Sequence, residues 1–143
     1  MKKRVESALQ HCPCFNLGAA YRRVLSLYAA ALTPLRLNVP QSNVLIWLLE
    51  HDGENLKTIA QAVALDSSTV TYLLDKLEKK KLVERREDPG DRRGTKVFLT
   101  QQGRALQSQI ERITGEFRRK VDTLVSEEDY NTFLQVTQKF QQM

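Results

Sequence analysis

Apolar residues recur at helical spacing over most of this chain and switch to strand-like runs over one stretch in its middle. Val70, Leu73, Leu74 and Leu77 fall at i, i+3, i+4 and i+7, a single apolar stripe. Asp66 stands before it as an N-cap, followed by Ser67, Ser68 and Thr69. The opposite face carries Ser68, Thr71, Tyr72, Lys76 and Lys79, hydroxyl-rich at the start and basic at the end. Residues 82–86 and 96–99 then form two strands around Glu87-Asp88-Pro89-Gly90-Asp91-Arg92-Arg93-Gly94-Thr95, a long turn-rich tip.

Upstream, a helix begins at Cys12-Pro13-Cys14, runs to about Thr33 and ends at Pro34. Its apolar residues (Phe15, Leu17, Val24, Leu25, Tyr28, Ala31, Leu32) spread wider than one stripe, which predicts burial on more than one side. Residues 34–39 form a connector. Pro40 starts a core helix to about His51, and Asn55 caps a short helix with Leu56, Ile59, Ala60 and Val63 inward. Ala64-Leu65-Asp66 is a tight turn into the polar-faced helix. Downstream, Thr100 caps one long helix to about Leu124, with Leu106, Ile110, Ile113, Phe117, Val121 and Leu124 in a near-heptad stripe. Ser126 opens a last helix with Tyr130, Phe133, Leu134, Thr137 and Phe140 inward. Met1 to Gln10 reads as an arm or first helical turn.

The order α-α-α-α-β-β-α-α, with a short turn between the third and fourth helices and a basic hairpin after them, is a winged helix-turn-helix. The fold class expected is mainly α (α+β): one domain over 1–143, with a reading lobe at about 40–100 and a two-stranded β-wing. Helices at about 14–33 and 101–143 flank it. Such ends have little of the small lobe to cover them, so they are expected to dimerise and set two reading helices one duplex turn apart.

Charge sharpens this picture. The 143 residues carry a net +5, yet Ser67–Arg104 holds ten Lys/Arg against six Asp/Glu, and the remaining residues twelve against eleven. The positive excess therefore sits on the helix and hairpin, as in a protein that meets a polyanion. A 41% hydrophobic content excludes a disordered chain. The longest strongly apolar run, Val44–Leu49, is too short to span a bilayer, and the N-terminus lacks a secretory apolar region. The expected partner is duplex DNA, the expected place the cytoplasm, with no membrane partner, no cofactor and both cysteines reduced.

The run DSSTVTYLLDKLEKKKLVERREDPGDRRGTKVFLTQQGR, together with LxVPQSNVLIWL and NLKTIAQAVAL upstream, resembles the MarR family of bacterial winged-helix regulators. The DPGDRR wing followed by LTxxG carries most of the likeness. The resemblance implies a homodimer with interleaved end helices on a near-palindromic operator. It also implies repression relieved by a small aromatic or anionic ligand or by oxidation. Ser67, Ser68, Thr69, Thr71, Tyr72 and Lys76 then match the major-groove helix, Arg92 and Arg93 the wing, and Asp91 an acid bracing the wing arginine. Arg85 and Arg86 read either as solvated strand residues or as phosphate contacts.

Two cysteines, Cys12 and Cys14, open the first helix, where a helix start favours thiolate. Lys2, Lys3, Arg4, Arg22 and Arg23 would add positive field there. One branch of the family senses organic hydroperoxides through a cysteine before a Phe, bonded by a Tyr fourteen residues on; Cys14-Phe15 and Tyr28 fit that spacing. The branch's second Tyr, four residues after the cysteine, is here Gly18, with Tyr21 as the nearest replacement. Cys14 is thus a redox sensor or an ordinary packed residue. A ligand would instead lie near Tyr28, Trp47 and Arg22. His11, Cys12 and Cys14 are too few for a closed zinc site, so no metal is expected. Two other functions stay open: a thiol-dependent peroxide-reacting enzyme using Cys14, and a winged helix used for protein contacts.

Overall fold

The computed structural model describes residues 8–143, in two units divided after Gln107. The seven residues before that, including most of the expected arm and Lys2, Lys3 and Arg4, lie outside the described residues; residues 8–10 are helical.

In the first unit, α1 (Pro13–Leu32) starts with Pro13 in its first turn and Cys12 at the N-cap. A 3-10 turn over Thr33–Leu35 leads to Arg36 in the left-handed region at φ 54°. Within the single chain, α1 does not show the burial on several sides that its sequence predicts. Leu32 alone is buried, while Phe15, Leu17, Tyr21, Val24 and Leu27 are exposed. A 20-residue helix is about 30 Å long, and only its C-terminal end reaches the core.

Helix α2 (Val39–Glu50) begins before Pro40, because Asn38 and Gln41 make a reciprocal capping box: Gln41 N donates to Asn38 Oδ1 at 2.8 Å, and Asn38 N to Gln41 Oε1 at 3.2 Å. A short strand β1 (Glu54–Asn55), absent from the expected elements, precedes α3 (Leu56–Ala62), which Asn55 caps as expected. The turn into α4 (Ser67–Lys79) is a Schellman motif. Leu65 N reaches Ala60 O at 3.0 Å and Ala64 N reaches Gln61 O at 3.3 Å, with Ala64 at φ 54°. Lys81 ends α4 the same way at φ 59°, with Leu82 N on Leu77 O at 3.0 Å.

Strands β2 (Val83–Asp88) and β3 (Asp91–Leu99) are longer than their apolar cores suggested. Pairing runs from Val83–Leu99 to Glu87–Thr95, and after a bulge Asp88 faces Asp91. The tip is thus the tight Pro89-Gly90 turn, and Arg92 and Arg93 lie on β3 rather than in a long loop. β1 adds to the other edge of β3, making a three-stranded antiparallel sheet in the order β1-β3-β2.

The core of this unit joins Leu32, Val44, Leu45, Leu48, Ile59, Val70, Leu74, Leu77, Val83 and Val97, each at 1% exposure or less. Burial of one such side chain contributes about 1.5–3 kcal/mol, so the sheet and α2–α4 form one cooperative body. Asp52 secures the sheet's base: its Oδ1 accepts Leu99 N at 2.8 Å and its Oδ2 pairs with Arg104. The expected single long helix is two. α5 (Gln101–Ala105), capped by Thr100, closes with Leu106 N on Gly103 O, and α6 follows as Gln107–Asp122. No proline or glycine marks that break.

In the second unit, Ile110 and Ile113 of α6 are buried, whereas Leu124 is exposed. α7 (Glu127–Gln141) is capped by Ser126, with Glu127, Glu128 and Asp129 in its first turn, a favourable place for acids at a helix start. Arg118 fastens the two helices: Nε donates to Asp122 Oδ1 at 2.6 Å, and the guanidinium lies 3.8 Å from the Tyr130 ring centre. The face of α7 expected to turn inward is exposed at Phe133, Leu134 and Phe140.

Candidate nucleic-acid interface

α4 presents three stripes. Val70, Leu73, Leu74 and Leu77 enter the core. Ser68, Tyr72 and Lys79 lie opposite on the exposed side together with half-buried Lys76, whose Nζ is 5.1 Å from the Tyr72 ring centre. Thr71, Asp75 and Glu78 form the third stripe, about a quarter-turn from the second at 100° per residue, and it faces β2.

The helix start is tightly organised. Thr69 N donates to Asp66 Oδ1 at 2.9 Å, and the hydroxyls of Ser68 and Thr69 donate to the same carboxylate. Those bonds, the Ser68 hydroxyl first, hold the Asp66 carboxyl well below the usual carboxylate range. The Thr71 hydroxyl donates to Ser67 O at 2.8 Å. The hydroxyl protons of Ser68, Thr69 and Thr71, residues expected to face bases, are therefore taken up by the helix's own cap and backbone. Tyr72, 59% exposed, is the large side chain at the centre of the outward stripe.

On the wing, Arg92 and Arg93 are exposed and carry no ion pair among the described residues. Asp91 does not hold an arginine side chain: its Oδ1 accepts the backbone N–H of Arg93 at 3.0 Å. Asp88 shapes the turn similarly, accepting Gly90 N at 2.9 Å. Arg86 pairs with Glu84 and covers the Phe98 ring at 4.7 Å.

Arg85 makes internal contacts that neither expectation for it included. Its guanidinium reaches Glu78 Oε2 at 2.6 Å, Asp75 Oδ1 at 2.8 Å and Thr71 O at 3.2 Å, and its backbone N donates to Glu78 Oε1 at 3.1 Å. Its side chain is 26% exposed and held within the fold by these contacts. Asp75 and Glu78 were missed because acids on a DNA-facing helix read as surface. Their i, i+3 spacing, ten and seven residues before Arg85, was the available signal. Lys80 was missed too; its Nζ donates to Arg36 O and to Gln41 Oε1 at 3.1 Å, tying the end of α4 to the start of α2.

The candidate sensor residues are not brought together. Cys14 is exposed in the first turn of α1, and Cys12 is half-buried at the N-cap; both are free thiols. Tyr28 is fourteen residues along the same helix, about 21 Å at 1.5 Å per residue, so Cys14 and Tyr28 cannot bond within one chain. Tyr28 instead bonds Ser42 of α2, and burial pushes its phenol up, outweighing that bond. Arg22 folds its guanidinium back over Gly18, and Tyr21 is exposed. Trp47 stacks on His51 with ring centres 3.9 Å apart, and its buried Nε1 has no hydrogen-bond partner among the described residues. The described residues hold no group of three His, Cys, Asp or Glu able to bind a metal, and no helix long and apolar enough to cross a membrane.

Residues 37–95 match the MarR family model, a span that holds the capping box of α2, α4 and most of the wing. The chain is 31% identical over 107 residues to the organic hydroperoxide resistance transcriptional regulator of Bacillus subtilis, covering 75% of this chain and 73% of that one. It is 37% identical over 98 residues to the transcriptional regulator TtmR of Methylorubrum extorquens, 68% of this chain but only half the length of that relative. Among solved structures, CouR of Rhodococcus jostii RHA1 bound to p-coumaroyl-CoA superposes with a TM-score of 0.81 at 28% identity, covering 93% of this chain and 94% of CouR.

Proposed function

This chain belongs to the MarR family of winged-helix transcriptional regulators, and from that membership we propose a homodimeric repressor that binds a near-palindromic operator and leaves it on a signal. One observation carries the reading: α4 offers an outward stripe of Ser68, Tyr72, Lys76 and Lys79 in the same compact unit as a wing whose Arg92 and Arg93 are exposed and outside ion pairs. A helix of this kind suits a major groove, and wing arginines suit the narrow groove beside it, where negative potential concentrates. The segments at about 14–33 and 101–143 serve as dimer helices and the lobe at about 40–100 reads DNA, in the cytoplasm.

The signal enters by one of two routes. Cys14, exposed at a helix start, suits oxidation by an organic hydroperoxide, as the name of the Bacillus relative suggests for that protein. A small aromatic or anionic ligand beside Tyr28 and Trp47, with Arg22 near, is the other route, and CouR is a neighbour that holds p-coumaroyl-CoA. Footprinting on the DNA flanking the protein's own gene tests the reading. A short protected inverted repeat is expected, cleared by cumene hydroperoxide in the wild type and retained in Cys14→Ser if the thiol is the sensor. Binding with no preferred site would reject the regulator reading. Sustained peroxide turnover with a thiol reductant would replace it with an enzyme.

A further inference from the structure

One side chain ties the wing to the reading helix at several points. Arg85 stands in the middle of β2, paired with Val97 of β3, and so belongs to the wing. Every polar atom of α4 that it bonds lies on the Thr71-Asp75-Glu78 stripe, away from the outward stripe of Ser68, Tyr72 and Lys76. Glu78 holds it twice, one carboxylate oxygen on the backbone N–H and the other on the guanidinium, at 3.1 and 2.6 Å. A planar guanidinium held at three points admits one orientation, which a flexible point charge such as Lys would not enforce.

We propose that Arg85, through Asp75 and Glu78, is a positioning residue that locks the wing to the reading helix at a single angle, so that groove-reading by α4 and wing insertion occur as one rigid docking event. This rests on the DNA-binding reading and adds a rule to it: two acids on a helix that faces a polyanion strengthen binding. Simple electrostatics demands the opposite, since an acid beside phosphates repels them. The Arg85 side chain is 26% exposed, and those of Asp75 and Glu78 are 53% and 38% exposed. Pairs this exposed contribute little to stability, so the loss should appear in affinity rather than in folding.

The test uses the full chain and a labelled duplex spanning the footprinted repeat, with a mixed-sequence duplex of equal length beside it, titrated over a salt series well below the unfolding temperature. Arg85→Gln is expected to weaken specific binding about tenfold, the size of one bidentate base pairing, with the slope of log affinity against log salt unchanged. Glu78→Gln is expected to weaken it as well, although it removes a negative charge, and the double variant to be no weaker than Arg85→Gln alone. A slope flattened by about 0.9 in Arg85→Gln would make the residue a phosphate contact and overturn the proposal. Tighter binding by Glu78→Gln, or unchanged affinity with a lowered unfolding temperature, would overturn it too. Should Arg85→Gln fail to fold, Glu78→Gln decides by its sign. Arg92→Ala separates the two readings. If it weakens binding while Arg85→Gln and Glu78→Gln do not, the brace alone falls. If the wild type binds neither duplex, the DNA reading falls and takes the brace with it.

Discussion

Three residues show how much hangs on single backbone and side-chain positions. A Cβ at Gly103 would stand 2.1 Å from Leu82 O, a backbone atom that cannot swing aside. Gly103 is therefore required by the close approach of α5 to the start of β2. Gly103→Ala should destabilise by about 3 kcal/mol, the upper range for overpacking, read as a lower urea midpoint. Ala64 sits at φ 54° in a position that glycine normally fills. Ala64→Gly should stabilise by roughly 0.5–1 kcal/mol, less than the left-handed penalty because glycine loses more entropy on folding, and it should raise the urea midpoint at unchanged slope. Asp66 adds a pH dependence. Its carboxyl is held below its ordinary value, so its contribution is complete above about pH 4 and is lost as the pH falls through the folded value. Asp66→Asn keeps the cap without the titration, and its unfolding temperature should fall less steeply on the acid side, followed by circular dichroism.

At the scale of the element, α4 and the wing divide the work of the interface. The positions of α4 and of the hairpin were legible, because an apolar stripe of four residues behind an Asp cap leaves one helix possible, and Pro-Gly between two strands leaves one hairpin. The strand lengths were not legible: Glu87, Asp88, Asp91, Arg92 and Arg93 are polar on both faces, so no alternation marks them as paired. Glu87, Asp88 and Asp91 pair regardless, and Arg92, Arg93 and Gly94 bulge between the Glu87–Thr95 and Asp88–Asp91 pairs. That places Arg92 and Arg93 within β3, in its bulge and without a partner in the β2 register. Arg92→Ala and Arg93→Ala should each flatten the salt dependence of DNA binding by about 0.9 for every phosphate no longer neutralised, measured by anisotropy at several salt concentrations.

At the scale of the whole molecule, the apolar surface left open is itself informative. Phe15, Leu17, Val24 and Leu27 on α1, and Phe133, Leu134, Val136 and Phe140 on α7, are all more than a third exposed. Monomers rarely leave so much apolar area uncovered. A second copy of the chain is the proposed cover, and it would also let Cys14 of one protomer approach Tyr28 of its partner, which one helix forbids. Leu27→Asp should shift sedimentation from dimer to monomer. It should also lower operator affinity about a hundredfold, through loss of the linked second half-site.

Periodicity, caps and turn residues act locally, and from them the sequence by itself determined the number and order of the main helices, the hairpin after α4 and the surplus of positive charge on that stretch. Tertiary structure decided everything that depends on a partner distant in the chain or hidden by polarity. The pairing of β1 with β3 joins residues 54–55 to 96–97, and the split between α5 and α6 has no breaker residue to announce it. The commitment of Arg85 to Asp75 and Glu78 belongs to the same class. Charge composition counts Arg85 as one more cation for DNA; only the fold, by bringing β2 against the third stripe of α4, turns it inward, because a guanidinium offered two carboxylates and a carbonyl nearby meets them before it meets a phosphate.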